Sequence, residues 1–134
     1  MLTSTAPIII IDDDPIFVEL LAEVAMVSGY QTEMVSDFHK FKKVYEKTTY
    51  DVITLDISMP DTDGFEMINE LVKLECKSQI VIISGHDEAL MYSAEMFAKE
   101  KGLNILVSMR KPIEVDEFEN LLNLAKILVS DKDK

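Results

Sequence analysis

The sequence has little that would staple it, anchor it or make it basic. Of 134 residues one is cysteine, Cys76, so no internal disulfide can form, and a reducing, cytoplasmic setting is expected. Basic residues are scarce: 13 Lys and Arg stand against 25 Asp and Glu, a formal net charge of −12. That surplus repels nucleic-acid phosphates and anionic membranes, so neither is expected as a direct partner. It favours a divalent cation or a basic partner surface. Long apolar runs are missing too. The opening MLTSTAPIIIIDDD has no basic segment, and its four isoleucines end in aspartates, too short for a signal peptide or a membrane span. There is no internal repeat and no low-complexity linker.

What is present is enough apolar residue for a core: 48% of the chain, which argues against disorder. The length fits one domain. We expect a single domain over residues 1–130 and a polar tail over 131–134. Short apolar runs alternate with amphipathic stretches. Ile8–Ile11, Val52–Leu55, Ile80–Ile83 and Ile105–Val107 read as strands buried on both faces. Tyr30–Val35 is more polar and suits an edge. Between them lie five helical patterns: Phe17, Leu20, Leu21, Val24 and Val27, ended by Gly29; Phe38, Phe41, Val44 and Tyr45; Phe65, Ile68, Leu71 and Val72; residues 87 to 101, closed by Gly102; and Val115, Phe118, Leu121, Leu122, Ala125 and Leu128. Five strand–helix units predict an α/β fold, a parallel sheet with helices on both faces.

In such a sheet, ligands sit outside the carboxyl ends of the strands. The first strand ends in Asp12 and Asp13, the third in Asp56, the fourth in Ser84, and the fifth is followed by Lys111-Pro112. Carboxylates about 4 Å apart repel by roughly 4 kcal/mol per pair at an effective dielectric near 20. A hard, oxygen-seeking Mg²⁺ relieves that conflict and leaves room for a phosphoryl oxygen. A carboxylate can accept a phosphoryl group, and Lys111 and Ser84 are placed to hold its other oxygens.

The segments IIIIDDDP, LDISMPDTDG, VIISG and RKP resemble, in order, the four signature segments of response-regulator receiver domains, and they span nearly the whole chain. The resemblance implies a five-stranded parallel sheet of order 2-1-3-4-5, the flavodoxin-like receiver fold. It implies a phosphoacceptor signalling switch rather than a turnover enzyme, with Asp56 taking its phosphoryl group from a histidine kinase or phosphotransfer protein. It also implies Mg²⁺ on Asp13, Asp56 and the Ser58 backbone carbonyl with Asp12 in support, Ser84 as switch hydroxyl, Lys111 as phosphate contact, and a cis Lys111-Pro112 bond. Two departures stand out. Three residues before Lys111 the family usually has an aromatic residue; here it is Ser108. The stretch from Ser84 to Lys111 is about five residues longer than in the family, so the fourth helix or its exit must be enlarged. The run GLNILVSMRKP is also similar to receivers fused to cyclic-di-GMP phosphodiesterase (EAL) domains, although no such domain lies within these residues.

Lacking the ring at 108, the signal is expected to leave through residues 86 to 103. That segment would contact a downstream partner, a fused effector domain or a second copy of the chain. Met91, Ala94 and Ala98 would pack on the sheet, leaving Tyr92 and Met96 on a neighbouring face. A phosphohydrolase of the haloacid dehalogenase type would also use an aspartyl nucleophile, but it wants a second acid two residues on, where Ser58 stands. Asp14-Pro15 reads as a helix cap, and Asp63 with Glu66 as another. Residues 59 to 70 place Asp61, Asp63, Gly64 and Glu70 at EF-hand offsets, but Met59 and Pro60 occupy the first two positions, which excludes a calcium loop. His39 lies on a polar face, and His86 follows Ser84-Gly85 near the expected site.

Overall fold

All four side chains of Ile8–Ile11 are fully buried, because a strand covered by helices on both faces has no solvent side. In the computed structural model, which describes residues 6–60, 62–85 and 87–132, this run belongs to β1 (Ala6–Ile11). The chain continues as α1 (Pro15–Val27), β2 (Tyr30–Val35), α2 (Phe38–Tyr45), β3 (Val52–Asp56), α3 (Gly64–Lys73), β4 (Gln79–Ser84), α4 (Glu88–Glu100), β5 (Asn104–Arg110) and α5 (Val115–Lys132). The strands pair in parallel in the order β2-β1-β3-β4-β5, as the resemblance implied. The Lys111-Pro112 bond is cis.

Strand alternation divides the core in two. Ile9, Ile11, Ile53, Leu55, Ile80 and Ile82 face α2, α3 and α4. Ile8, Ile10, Val52, Val81 and Ile83 face α1 and α5. Aromatic rings extend the first face along α2, with Phe38 and Phe41 stacked at 5.2 Å and Phe41 and Tyr45 at 5.1 Å. On α4, Ala94 and Ala98 are fully buried against the sheet, and Tyr92 and Met96 are exposed, the division expected from their spacing. Small side chains there let the helix backbone approach the strands closely.

Local chemistry sets the helix ends. The Asp14 carboxylate accepts from the Ile16 and Phe17 amides, with Pro15 at the first helical position. Asp63 accepts from the Phe65 amide and opens α3, with Glu66 in its first turn. Gly29 and Gly102 follow α1 and α4 with φ of 91°, a left-handed conformation that glycine adopts without steric cost.

Three expectations need correction. The buried face of α1 is Val18, Leu21, Ala22, Val24 and Ala25; Leu20 is 39% exposed and Val27 81%. This helix is apolar nearly all round, so its periodicity does not choose a face; packing between the sheet and α5 does, and it brings the two alanines inward. On α5, Val115 is likewise exposed, while Phe118, Leu121, Leu122 and Ala125 are buried. Last, Ile105–Val107 is half-buried rather than covered on both faces, because β5 is an edge strand.

The stretch between Ser84 and Lys111 holds a long helix and a bulged strand. Helix α4 runs for 13 residues. In β5 the pairing steps from Ile80–Ile105 to Val81–Val107, so Leu106 is an extra residue in a β-bulge.

Candidate active site at the carboxyl edge of the sheet

Four of the five strands deliver polar residues to one edge. Asp12 and Asp13 follow β1, Asp56 closes β3, Ser84 closes β4, and Lys111 follows β5. Register holds them level: Asp56 pairs with Ile83, Ser84 with Arg110, and the Lys111 amide donates to the Ser84 carbonyl at 2.9 Å. One carboxylate oxygen from each of Asp12, Asp13 and Asp56 lies within 4.8 Å of the others, the one such acidic group among the described residues. Asp12 and Asp56 are buried and Asp13 is exposed, so the cluster has a wet side and a dry side.

The Lys111 ammonium lies 3.0 Å from Asp12 Oδ2 and 3.3 Å from Asp56 Oδ2. It also stands 4.4 Å from the ring centroid of Phe17, a cation–π contact from the first turn of α1. Burial pushes the Asp12 carboxyl up to about 6, and the Asp56 charge adds to that rise; the Asp14 amide and Lys111 oppose it. Burial pulls Lys111 down, but hydrogen bonds and charge from Asp12 and Asp56 outweigh it and hold the ammonium above the ordinary lysine value. Three carboxylates against one ammonium leave two formal negative charges on this edge (−3 and +1). The donors are all oxygen and one of them faces solvent. Such a set fits a hard divalent cation such as Mg²⁺.

Asp56 is further held from its own loop. Its Oδ1 accepts from the Ser58 amide at 2.8 Å and from the Ser58 hydroxyl at 2.6 Å. That hydroxyl in turn accepts from the Gly85 amide at 3.0 Å. Ser84 Oγ is fully buried and has no hydrogen-bond partner among the described residues, so no hydrogen bond joins it to Asp56. Beside the acids an open cleft of about 440 Å³ runs between α1 and β2, lined by Asp12, Asp13, Pro15, Met34, Ser36 and Lys40 among others.

Asp12, Asp13, Asp56 and Lys111 are thus brought together as the strand ends predicted, and Ser84 is placed on the same edge. His86 and Asp61 lie outside the described residues. Asp63 is engaged as a helix cap and Glu70 in an ion pair with Lys42 at 3.2 Å, so these two do not form a calcium loop. His39 is exposed on α2. Two contributors escaped the sequence reading. Phe17 counted as a core residue of α1, and nothing local marks it as a lysine contact. The Ser58 hydroxyl left a weak signal, since Ser two residues after Asp is a spacing at which side chains bond one another in turns.

A doubly wound parallel sheet with acids and a lysine converging beyond its carboxyl ends has the build of a phosphoacceptor regulatory domain. Residues 8–123 match the family model of the response regulator receiver domain, and the chain belongs to that family, the receiver modules of two-component signalling. It is 26% identical over 113 residues to sporulation initiation phosphotransferase F of Bacillus subtilis, covering 84% of this chain and 87% of that protein. It is 28% identical over 123 residues to the regulatory protein VirG of Agrobacterium tumefaciens, covering 92% of this chain but 42% of VirG. Among solved structures, a response regulator from Colwellia psychrerythraea aligns with a TM-score of 0.79 at 28% identity, covering 92% of this chain and 98% of the other. A CheY-like receiver from Methylobacillus flagellatus shares the fold at 23% identity and a TM-score of 0.75, covering 91% and 99%. No described helix is long and apolar enough to cross a membrane.

Proposed function

We propose that Asp56 is the phosphoacceptor of this receiver. The observation that carries the reading is the Lys111 ammonium set between Asp12 and Asp56, 3.0 and 3.3 Å from their carboxylates, with Asp13 exposed beside them. Asp56 Oδ1 already accepts two hydrogen bonds and Oδ2 one, so Oδ2 keeps the free lone pair for attack. In the transfer, Oδ2 bonds to phosphorus as the donor's P–N bond breaks, and the electron pair leaves with the phosphohistidine imidazole of a histidine kinase or phosphotransfer protein. The relative named a phosphotransferase supports such an exchange.

Asp12, Asp13, Asp56 and the Ser58 backbone carbonyl would hold Mg²⁺. When bound, the ion offsets carboxylate repulsion and draws charge from the transferring group. Lys111 answers the new charge from the buried side, and Ser84, whose hydroxyl has no hydrogen-bond partner among the described residues, answers it from β4. The domain catalyses its own phosphorylation and dephosphorylation and turns over no other substrate. The buried, unpaired thiol of Cys76 suits a reducing, cytoplasmic setting. The downstream partner is a protein or a fused effector domain rather than nucleic acid or membrane.

Incubation with acetyl phosphate and Mg²⁺, followed by intact-mass measurement, tests the assignment. One phosphate adduct is expected, absent in Asp56→Asn. An adduct that persists in that variant assigns the acceptor elsewhere.

A further inference from the structure

Ser84 has no hydrogen-bond partner among the described residues, and Ser108 stands where the receiver resemblance implies a ring, yet one hydroxyl does touch the acceptor. Ser58 donates to Asp56 Oδ1 at 2.6 Å and accepts from the Gly85 amide at 3.0 Å. A serine hydroxyl has one proton, so both bonds together give the chain a direction: Gly85 N–H to Ser58 O–H to the Asp56 carboxylate. Gly85 follows β4 directly and leads into α4. Space there is tight, since a Cβ added at Gly85 would lie 3.2 Å from Ser58 Oγ. The loop after β3 and the loop after β4 are therefore joined through a single side chain that ends on the acceptor.

We infer that Ser58 is a positioning residue that reports the charge of Asp56 to the start of α4. The inference rests on Asp56 as the acceptor. While Asp56 is a carboxylate, the Ser58 hydroxyl makes a charge-assisted bond, roughly twice as strong as a neutral one, and that bond polarises the Gly85 contact behind it. Once Oδ2 carries a phosphoryl group, Oδ1 is the carbonyl oxygen of an acyl phosphate and has lost its share of the negative charge. Ser58 is then released to turn toward the phosphoryl oxygens, and the Gly85 amide loses or follows its acceptor. The β4–α4 junction moves without an aromatic switch.

The test separates this relay from the acceptor assignment. Amide NMR spectra are recorded for the wild type, Asp56→Asn, Ser58→Ala and the double variant, with the adjacent Ile57 amide as reference. Asp56→Asn removes the acceptor charge without phosphate. The Gly85 amide should shift in response to Asp56→Asn when Ser58 is present and stay still when it is alanine, while Ile57 shifts in both backgrounds. Ser58→Thr, which keeps the hydroxyl, should restore the Gly85 response. The same pattern should appear on phosphorylation with acetyl phosphate, read in the fraction of each protein that carries one phosphate by mass. A Gly85 shift of wild-type size in the Ser58→Ala background overturns the relay and leaves the acceptor untouched. A phosphate adduct that survives Asp56→Asn overturns the acceptor, whereas the NMR response to that substitution still reads the relay.

Discussion

The Ser108 hydroxyl on β5 donates to Glu95 Oε1 on α4 at 2.5 Å. Glu95 Oε2 pairs with Lys99 at 2.9 Å, and Arg110 reaches Glu88 at 2.6 Å. Helix α4 is thus tied to the edge strand by polar contacts at Glu88 and Glu95. The Ser108 hydrogen bond, then the Lys99 contact, hold the Glu95 carboxyl below its ordinary value. A carboxyl lowered in the folded state contributes stability above its unfolded pKa, and that contribution is lost as pH falls through the folded pKa. Ser108→Ala should therefore be less stable than wild type near pH 7, with the gap closing below about pH 4.5, the ordinary glutamate value. Urea melts across that range check it; a gap independent of pH removes Glu95 as the cause.

A polar clamp of this kind can open without repacking a core. We expect residues 86 to 103 to be the main phosphorylation-dependent surface, with Tyr92 (65% exposed) and Met96 (47%) presented to a partner or a second copy. Hydrogen exchange with and without beryllofluoride should change across α4. Changes confined to the loops around Asp56 would show that the signal does not leave there.

Lys111 is the one ammonium ion-paired to Asp56 among the described residues. A charge-assisted contact is worth roughly 1.5–3 kcal/mol, a large part of the approximately 5.5 kcal/mol that a full two-state switch requires. Lys111→Ala should still accept phosphate by mass but fail to shift the amides of α4. Wild-type shifts in that variant would show that Lys111 takes no part in transmission beside Ser58.

Cation binding to the folded acidic cluster should raise the melting temperature by mass action. At ten times the dissociation constant the gain is about 1.4 kcal/mol, a shift of several degrees. Asp13 is exposed, so Asp13→Ala should fold normally and lose most of the Mg²⁺ response. An undiminished response would remove Asp13 from the ligand set.

Gly64 opens α3 where a Cβ would sit 2.9 Å from Ile57 Cβ and 3.3 Å from the Ile57 carbonyl oxygen. Ile57 is buried, so Gly64→Ala should cost about 1–3 kcal/mol by overpacking. An unchanged urea midpoint would show that the α3 start moves freely.

Much of this molecule was legible along the chain. Uninterrupted β-branched runs announce strands buried on both faces, and a parallel sheet then delivers whatever ends each strand to one edge. Asp12, Asp13, Asp56, Ser84 and Lys111 could be placed together on that ground, and the receiver motifs supplied strand order. Rows of side chains repeat with the period of the backbone, so sequence spacing carries this information. What depends on the distance between separate elements has no such period. Helix α1 is apolar except at Glu19 and Glu23, and its seat between sheet and α5 chose Val18, Ala22 and Ala25 for burial. An edge strand reads like a central one until its neighbours are counted, as β5 does. Phe17 meets Lys111, Ser58 meets Gly85, and Ser108 meets Glu95 only because α1, the two loops and α4 are packed to within a few ångströms of their partners. Local preference built the elements and the edge; tertiary packing decided which hydroxyl touches the acceptor and which helix is tied to β5.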